Sequence, residues 1–149
     1  MTPATGGKVR REIADIEREL MLIGRYKELA AAGRPDERLL ERSSYILLSR
    51  LEAEGPLSIG QLARAFGLDT STVNRQTAVL LRAGLAERIP DPEGGMARKL
   101  RVTEEGLRRA RAEREGRLRG LAKVLEGWTT EELESFAGGL AHFNASMER

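Results

Sequence analysis

Apolar residues near the amino terminus recur every three or four positions, the spacing of one face of an α-helix. Gly33, Arg34 and Pro35 interrupt this pattern and are typical of a helix end. The pattern therefore predicts a first helix from about residue 8 to residue 31. Its apolar stripe consists of Val9, Ile13, Ile16, Leu20 and Ile23.

The carboxyl end carries two more segments with helical spacing. Thr103 is placed to cap a long helix, although glycines at positions 106, 116 and 120 lower its helix propensity. Thr129 and Glu132 then have the spacing of a capping box, which predicts the start of a last helix. The apolar stripe of this last helix consists of Leu133, Phe136, Leu140 and Phe143.

Between these ends, the apolar residues fall into shorter groups separated by glycines. The first group predicts a helix that ends at Gly55 and Pro56 and contains Leu39, Leu40, Tyr45, Leu47, Leu48 and Leu51. Ser58 and Gln61 have capping-box spacing and predict a short helix that ends at Gly67. Its buried residues are expected to be Leu62, Ala63 and Phe66.

The stretch LDTSTVNRQTAVLLRAGL, residues 68–85, predicts another helix directly after the short one. Either Asp69 or Thr70 can cap it. Two short helices joined by a tight turn form a helix-turn-helix, and the N-terminal end of the second helix suits phosphates and base edges. The inward face is expected to hold Val73, Thr77, Leu80 and Leu81, and the outward face Ser71, Asn74, Arg75, Ala78 and Arg82.

A β-hairpin is predicted after the helix-turn-helix. The segment ARKLRV alternates, so that Leu100 and Val102 share one face while Lys99 and Arg101 share the other. The turn residues at positions 91–95 mark the tip. The sequence therefore predicts a mainly α fold with a small β-wing, in which a winged helix-turn-helix at residues 36–103 is flanked by long helices at residues 1–35 and 104–149.

The charge distribution favours a polyanionic partner for the central part of the chain. The whole chain of 149 residues has a formal net charge of only +2. Residues 56–103 nevertheless contain seven basic side chains and four acidic ones, whereas residues 1–55 contain ten of each. A basic centre is typical of a nucleic-acid-binding segment, although solvated charged faces produce the same imbalance.

The composition excludes several kinds of chemistry. The chain has no Cys and one His, so disulfides, thiolate metal sites and a nucleophile–base pair are excluded. No enzymatic activity, cofactor or metal site is expected, and His142 is expected at an interface. The charged amino terminus lacks a signal sequence and no apolar stretch approaches a membrane span, so we expect a cytoplasmic protein with no membrane partner.

The order of the elements and several motifs resemble the MarR family of bacterial transcription regulators. The resemblance rests on GPLSIGQLARAFGLDTSTVNRQTAVLLRAGLAER, followed by DPEGG and VTEEG, and it spans nearly the whole chain. It implies a homodimer in which the first and last helices interlock and each copy places one winged helix on a palindromic operator in double-stranded DNA. It also implies a repressor that releases DNA when a small-molecule effector, often phenolic or anionic, binds between the dimer helices and the winged helix.

The apolar stripes of the terminal helices are consistent with such a dimer. The winged helix has a core of its own, so the stripes need another surface to pack against; the alternative is that they pack within one subunit. Trp128, Tyr26 and Tyr45 are expected in the core or at an interface, and no ligand-pocket residues are predicted. The expected dimer interface contains Ile13, Ile16, Leu20, Leu133, Phe136, Leu140 and Phe143.

The expected DNA contacts lie on the helix-turn-helix and the wing. Arg75 and Asn74 suit base edges, because Arg pairs with guanine and Asn with adenine; the alternative is a solvated helix surface. Ser71 and Thr72 suit phosphates or act only as caps, and Arg82 contacts the backbone or is merely exposed. The full set is Ser58, Thr70, Ser71, Thr72, Asn74, Arg75, Arg82, Arg98, Lys99 and Arg101.

The wing departs from the pattern of the family that it resembles. Members carry an Asp and then an Arg at the wing tip, where the Arg enters the minor groove; Gly94 and Met96 stand at these places. In a strand, Arg98 would face the same side as Met96, about 6.8 Å nearer the base of the wing. We expect Arg98 to replace the missing Arg in the narrow groove of A·T-rich flanks, while Lys99 and Arg101 meet phosphates. The alternative is a wing that touches only the backbone.

The predicted function is sequence-specific DNA binding by a transcription regulator. The alternative is a winged helix used only for protein contacts, since this fold is reused without DNA. That alternative predicts an acidic or apolar outward helix face. The sequence instead places Ser71, Asn74, Arg75 and Arg82 on that face.

Overall fold

The structure, a computed structural model, describes residues 4–25 and 40–148. The chain divides into two compact units, Met1–Arg38 and Leu39–Arg149. The first unit contains helix α1, Ala4–Ile23, on which the apolar stripe from Val9 to Ile23 is exposed. The helix begins before the predicted residue 8, and most of its predicted continuation to residue 31 lies outside the described residues, as do Tyr26 and Leu39.

The second unit contains five further helices and two strands. Its fold confirms the predicted class, a mainly α protein with a small β-wing. In chain order the elements are α2 (Arg42–Glu54), α3 (Ile59–Phe66), α4 (Thr70–Arg82), β1 (Ala86–Ile89), β2 (Lys99–Val102), α5 (Glu104–Val124) and α6 (Thr130–Met147).

Side-chain caps determine where the two helices of the helix-turn-helix begin. Ser58 Oγ accepts a hydrogen bond from Gln61 N at 3.1 Å, and Gln61 Oε1 accepts one from Ser58 N at 2.9 Å. The predicted capping box of α3 is therefore confirmed. Of the two candidates for α4, Asp69 is the cap and Thr70 is the first helical residue.

The other predicted helix ends are also present. Thr103 caps α5, and Thr129 caps α6 in a capping box with Glu132. α2 ends at Gly55, whose φ of 81° lies in the left-handed region that favours glycine. These local signals coincide with the starts of α5 and α6 and with the end of α2, whereas α2 begins without a side-chain cap.

The core lies between α2, α3, α4, the wing and the first half of α5. Leu62, Val73 and Leu80, three of the predicted core residues, are fully buried. Phe66 and Leu81 were also predicted in the core, but they are only partly buried and pack against it. The largest fully buried side chains are Leu47, Leu48, Leu51, Leu62, Leu80, Val73 and Thr77.

The hairpin is antiparallel, and its base is tied to the core. Ala86 pairs with Val102 and Ile89 with Lys99. Leu57, between α2 and α3, bonds to buried Leu100 in both directions, with N–O distances of 3.1 and 2.7 Å. The wing therefore projects from a fixed base.

The start of α5 packs directly on the end of α4. Thr103 Oγ1 donates to Gly84 O at 2.7 Å and accepts from Gly106 N at 3.0 Å. Thr103 N donates to Leu85 O at 3.1 Å. A Cβ at Gly106 would overlap the backbone carbonyl of Leu85 and lie 2.8 Å from Val102 Cγ2. Only a glycine fits this close approach.

Polar contacts join α5 to α2. Glu52 accepts a hydrogen bond from Arg114 at 2.8 Å, and this bond is the main cause of the lowered pKa of Glu52. Arg117 lies over the ring of Tyr45, 4.4 Å from its centroid, and donates to buried Glu113 at 3.1 Å. These contacts hold α5 on the winged helix.

α6 differs from the other helices of the second unit because none of its residues is buried. Trp128 packs edge-on against Phe136, with ring centroids 5.5 Å apart. The predicted interface residues Leu133, Phe136, Leu140 and Phe143 are all exposed in the single chain. Near its end, Glu148 lies 3.8 Å from Arg50 of α2.

Candidate nucleic-acid interface

Five of the ten expected DNA contacts are exposed on α4, and Thr72 on the same helix is half-buried. Val73, Thr77 and Leu80 face the core, as predicted. Ser71, Asn74, Arg75 and Arg82 are exposed on the same helix, and so is Thr70 at its start. One side of the helix therefore anchors it while the other presents polar and cationic groups to solvent.

The outward face of α4 also includes a residue that was not predicted. Ala78 was expected on this face, but it is half-buried, whereas Val79 is 40% exposed. The helical period itself places Val79 one turn after Arg75. The sequence prediction assigns Val79 to neither face. Its spacing of one turn from Arg75 permits the outward face, but the choice between Val79 and Ala78 depends on how the helix is rotated against its neighbours.

The cap of α4 occupies the polar groups of its first turn. Asp69 Oδ1 accepts from Thr72 N and from Ser71 Oγ, both at 2.7 Å. The hydrogen bond from Thr72 N, followed by that from Ser71, lowers the pKa of Asp69 to about 2, with a smaller contribution from the Arg75 charge. Because a carboxylate already stands at this N-terminus, its attraction for a phosphate is reduced.

Ser58 lies at the start of α3, where its hydroxyl is occupied by the capping box. The side chain is half-buried. Of the helix-turn-helix candidates, Ser58, Ser71 and Thr72 are thus engaged in local hydrogen bonds. Among the α4 candidates that no such bond engages, Asn74, Arg75 and Arg82 are exposed, as is Thr70 at the start of the helix.

The Asp91 carboxylate accepts hydrogen bonds that hold the turn of the wing loop. Asp91 Oδ1 accepts from Glu93 N at 2.9 Å, and Asp91 O accepts from Gly94 N at 3.0 Å. The hydrogen bond from Glu93 N is the main cause of the lowered pKa of Asp91. A Cβ at Gly95 would overlap this carboxylate. The tip of the hairpin therefore lies at the predicted place and is a defined turn.

Two of the three predicted wing contacts are paired within the hairpin. Lys99 Nζ lies 3.5 Å from Asp91 Oδ1, and its side chain is only 14% exposed. Arg101 Nε donates to Glu87 Oε1 at 2.9 Å across the two strands. Arg98 is exposed and, among the described residues, forms no ion pair. Of the three predicted wing contacts, Arg98 is thus the most available; Arg88 on β1 is also exposed.

The predicted orientation of Arg98 relative to Met96 is wrong. β2 begins at Lys99, so Arg98 lies in the loop, and the chain bends at Met96 and Ala97. Strand alternation therefore does not relate Arg98 to Met96. The turn before this bend includes Gly94, whose φ of 85° lies in the region that favours glycine.

Other kinds of site are not found in the described part of the chain. Within residues 4–25 and 40–148, no group of His, Cys, Asp and Glu side chains is arranged to hold a metal ion. No helix among these residues is long and apolar enough to cross a membrane. The exposed face of α4 and the wing remain the candidate interface.

Comparison with known sequences agrees with this geometry. A profile described as MarR family matches residues 40–95, which include the helix-turn-helix and the first half of the wing. The chain is 38% identical over 108 residues to YxaD, an HTH-type transcriptional regulator of Bacillus subtilis (strain 168). This match covers 72% of the chain and 76% of the relative.

Solved structures with the same fold cover the terminal helices as well. A MarR family protein from Bacillus stearothermophilus is 26% identical and superimposes with a TM-score of 0.68, over 100% of this chain and 99% of that one. The PcaV transcriptional regulator from Streptomyces coelicolor, in complex with its natural ligand, is 26% identical with a TM-score of 0.66, over 89% and 91% of the two chains. By its motifs, its winged helix and these similarities, the chain belongs to the MarR family of transcription regulators.

Proposed function

We propose that the chain is a ligand-responsive repressor that binds a palindromic operator as a homodimer. The observation that carries the proposal is the outward face of α4. The helix contains no acidic residue, its inward side is buried, and Arg75 and Arg82 are exposed. Such a face suits the major groove of DNA, where a recognition helix inserts.

A winged helix that binds only proteins is the alternative function. A face used only for protein contacts is expected to be apolar at its centre, because interface cores are enriched in aromatic residues and depleted of Lys, Glu and Asp. The exposed side of α4 has no aromatic residue and two arginines. The DNA-binding proposal therefore accounts for this face better.

We assign the base contacts to Asn74 and Arg75, and phosphate contacts to Arg82 and to the groups of Thr70, Ser71 and Thr72 that the cap leaves available. In the wing, Arg98 is the main contact, because Lys99 and Arg101 are paired with Asp91 and Glu87. Arg98 would enter the minor groove, whose negative potential attracts cations at A·T-rich flanks. Ser58 serves chiefly as the cap of α3.

The homodimer is supported by apolar side chains that the single chain leaves uncovered. No residue of α6 is buried, although four of its large apolar residues form one stripe. The stripe of α1 is exposed too. We propose that residues 1–35 and 104–149 supply the dimerisation helices and residues 36–103 the DNA-binding domain, because contiguous exposed apolar stripes mark interaction surfaces.

The ligand response is supported by a groove beside the recognition helix. The groove has a volume of about 430 Å³, which suits a small molecule. It is lined by Arg42, Ser43, Ile46, Leu47, Phe66, Leu68 and Gln76. Arg42 could pair with an anionic group, and Gln76 lies on α4. An effector in this groove would therefore contact the recognition helix directly.

Selection from a randomised duplex pool tests the operator proposal. The wild-type protein should enrich an inverted repeat, and its affinity should fall steeply with salt because bound phosphates release counterions. Arg75→Ala should cost about 1–3 kcal/mol of binding free energy and relax the preference at one base pair per half-site. If no repeat is bound better than random duplex at any salt concentration, the proposal is wrong.

Two further assays test repression and the ligand response. Transcription from a promoter that overlaps the selected repeat should fall when the protein is added; a rise would indicate an activator. A phenolic carboxylate such as 4-hydroxybenzoate should release the DNA from the wild type and much less from Arg42→Ala. Equal release from both proteins, or release from neither by any of a panel of aromatic acids, would count against the groove.

A further inference from the structure

Val79 is an unusual residue on the outward face of the recognition helix. The other large apolar side chains of α4 are Val73 and Leu80, which are fully buried, and Leu81, which packs partly against the core. Val79 is 40% exposed and lies on the side of the helix that carries the exposed arginines. An apolar residue at this place stabilises neither the core nor the helix, since β-branched residues lower helix propensity.

The position of Val79 relative to Arg75 is that of a base-contacting residue. Thr72, Arg75 and Val79 have the spacing i, i+3 and i+7, so they form one row along the helix. The base-contacting residues of homeodomain recognition helices have the spacing i, i+3, i+4 and i+7. If Arg75 contacts a base edge, Val79 therefore lies over the floor of the same groove.

The major groove offers one apolar group to such a side chain. Every base edge there carries hydrogen-bond donors or acceptors, and only thymine adds a methyl group, at C5. A valine side chain in a helix is held in one main rotamer, so its methyl groups are already oriented before DNA binds.

We propose that Val79 contacts the C5 methyl group of a thymine in each half-site and so helps to determine the operator sequence. The proposal rests on the proposed operator binding. Val79 lies about 6 Å along the helix from Arg75, because each residue adds about 1.5 Å. At about 3.4 Å per base pair, the thymine lies about two base pairs from the guanine that Arg75 contacts.

Replacement of thymine by deoxyuridine tests this contact, because deoxyuridine lacks only the C5 methyl group. The probe is the inverted repeat selected by the wild-type protein, with one thymine position changed to deoxyuridine in both half-sites. At one position, the wild type should bind about fourfold more weakly per half-site, the effect expected for one methyl group removed from a buried contact. The other thymine positions should have little effect.

Two variants make the assignment specific. Val79→Ala should retain the helix, since Ala has a higher helix propensity than Val. This variant should bind the thymine duplex as weakly as the wild type binds the deoxyuridine duplex. It should bind the thymine and deoxyuridine duplexes equally. Arg75→Ala should bind more weakly at its own base pair but keep the sensitivity to deoxyuridine. These two results together would show that Val79 and Arg75 contact different bases.

The outcomes that overturn the proposal are distinct from those that overturn operator binding. If a repeat is enriched but no thymine is sensitive to deoxyuridine, the Val79 assignment is wrong while operator binding stands. If Val79→Ala weakens binding to both duplexes equally and retains the deoxyuridine effect, the methyl group is contacted by another residue. If no repeat is enriched and Val79→Ala instead loses binding of a protein partner, both proposals are wrong.

Discussion

Helices α3 and α6 begin with the same chemistry and differ completely in burial. A Ser58–Gln61 capping box starts α3, and a Thr129–Glu132 box starts α6. α3 then buries Leu62 and Ala63, whereas no residue of α6 is buried. The comparison shows that local caps determine where a helix starts, while its apolar face depends on what else is available to cover it.

This difference separates two contributions to stability. The apolar residues of α3 stabilise the fold of one subunit. Those of α6 can contribute only when another surface covers them, and we propose that a second copy does so. Substitutions in the two helices should therefore have effects of different kinds.

Leu62→Ala should have the largest effect on unfolding. The side chain is fully buried, so its loss leaves a cavity and should lower the free energy of unfolding by about 2–5 kcal/mol. Urea denaturation measures this change. Leu140→Ala in α6 is the matched comparison, and its effect should depend on protein concentration, because it acts on association. A concentration-independent loss for Leu140→Ala equal to that for Leu62→Ala would remove the distinction.

Phe136→Asp should dissociate the dimer without unfolding the subunit. The charge would be buried in the proposed interface, where an unpaired carboxylate is strongly unfavourable. Sedimentation velocity should show monomers, circular dichroism should show retained helix, and operator binding should be lost.

The matched control for Phe136→Asp is Ala145→Asp. Ala145 is exposed on the side of α6 away from the stripe, so this variant should remain a dimer. Identical behaviour of the two variants, whether both dimeric or both monomeric, would contradict the assignment of the interface.

Gly106→Ala tests how tightly the start of α5 packs on the end of α4. Its Cβ would overlap the Leu85 carbonyl at the end of α4, and the overpacking should cost about 1–3 kcal/mol. Gly60→Ala is the control, because a Cβ there meets only Ser58 Oγ at 3.9 Å; it should stabilise α3 by about 0.5–1 kcal/mol. Thermal denaturation compares the two. A Gly106→Ala protein as stable as the wild type would show that α4 and α5 are not tightly joined.

The sequence predicted these elements well wherever the signal was local. Ser58, Thr103 and Thr129 act on backbone groups within three residues, so their spacing alone predicted the helix starts. The helical period likewise predicted which side of α4 is buried. It did not predict that Val79 rather than Ala78 is exposed, because that choice depends on how the helix is rotated against α2 and the wing.

Contacts between residues far apart in the sequence could not be predicted from periodicity. Lys99 pairs with Asp91 across the wing loop, and Glu113 accepts a hydrogen bond from Leu40 N at 3.4 Å. Alternation predicts that Arg98 lies in a strand with Met96, but the chain bends at Met96 and Ala97. Such features depend on the path of a loop or on packing between helices.

Arg98→Ala and Lys99→Ala compare an exposed cation of the wing with a paired one. Arg98→Ala should weaken operator binding by roughly 1 kcal/mol, and the loss should be greatest on A·T-rich flanks, where the minor groove is narrow. Lys99→Ala should have a smaller effect that is the same on all flanks. Fluorescence anisotropy with two flanking sequences measures both. Equal losses that do not depend on the flanks would favour a wing that contacts only the backbone.

The smallest expected effect concerns the cap of the recognition helix. The pKa of Asp69 is about 2, below its ordinary value of 3.8, so the cap stabilises the fold at pH values above about 4 and this contribution is lost as the pH falls towards 2. Asn caps as well as Asp but does not titrate. Asp69→Asn should therefore unfold with a flatter pH dependence between pH 4 and 2. An unchanged pH profile would show that the cap does not persist in solution.

The most direct test of the account is the dependence of binding on the spacing of two half-sites. Two recognition helices joined through the terminal helices should enter successive major grooves, with half-site centres about one turn, roughly 34 Å, apart. Affinity should be highest at that spacing, fall when half a turn is inserted, and correspond to two copies of the chain per repeat. Affinity that does not change with spacing, or one copy bound per repeat, would contradict the account.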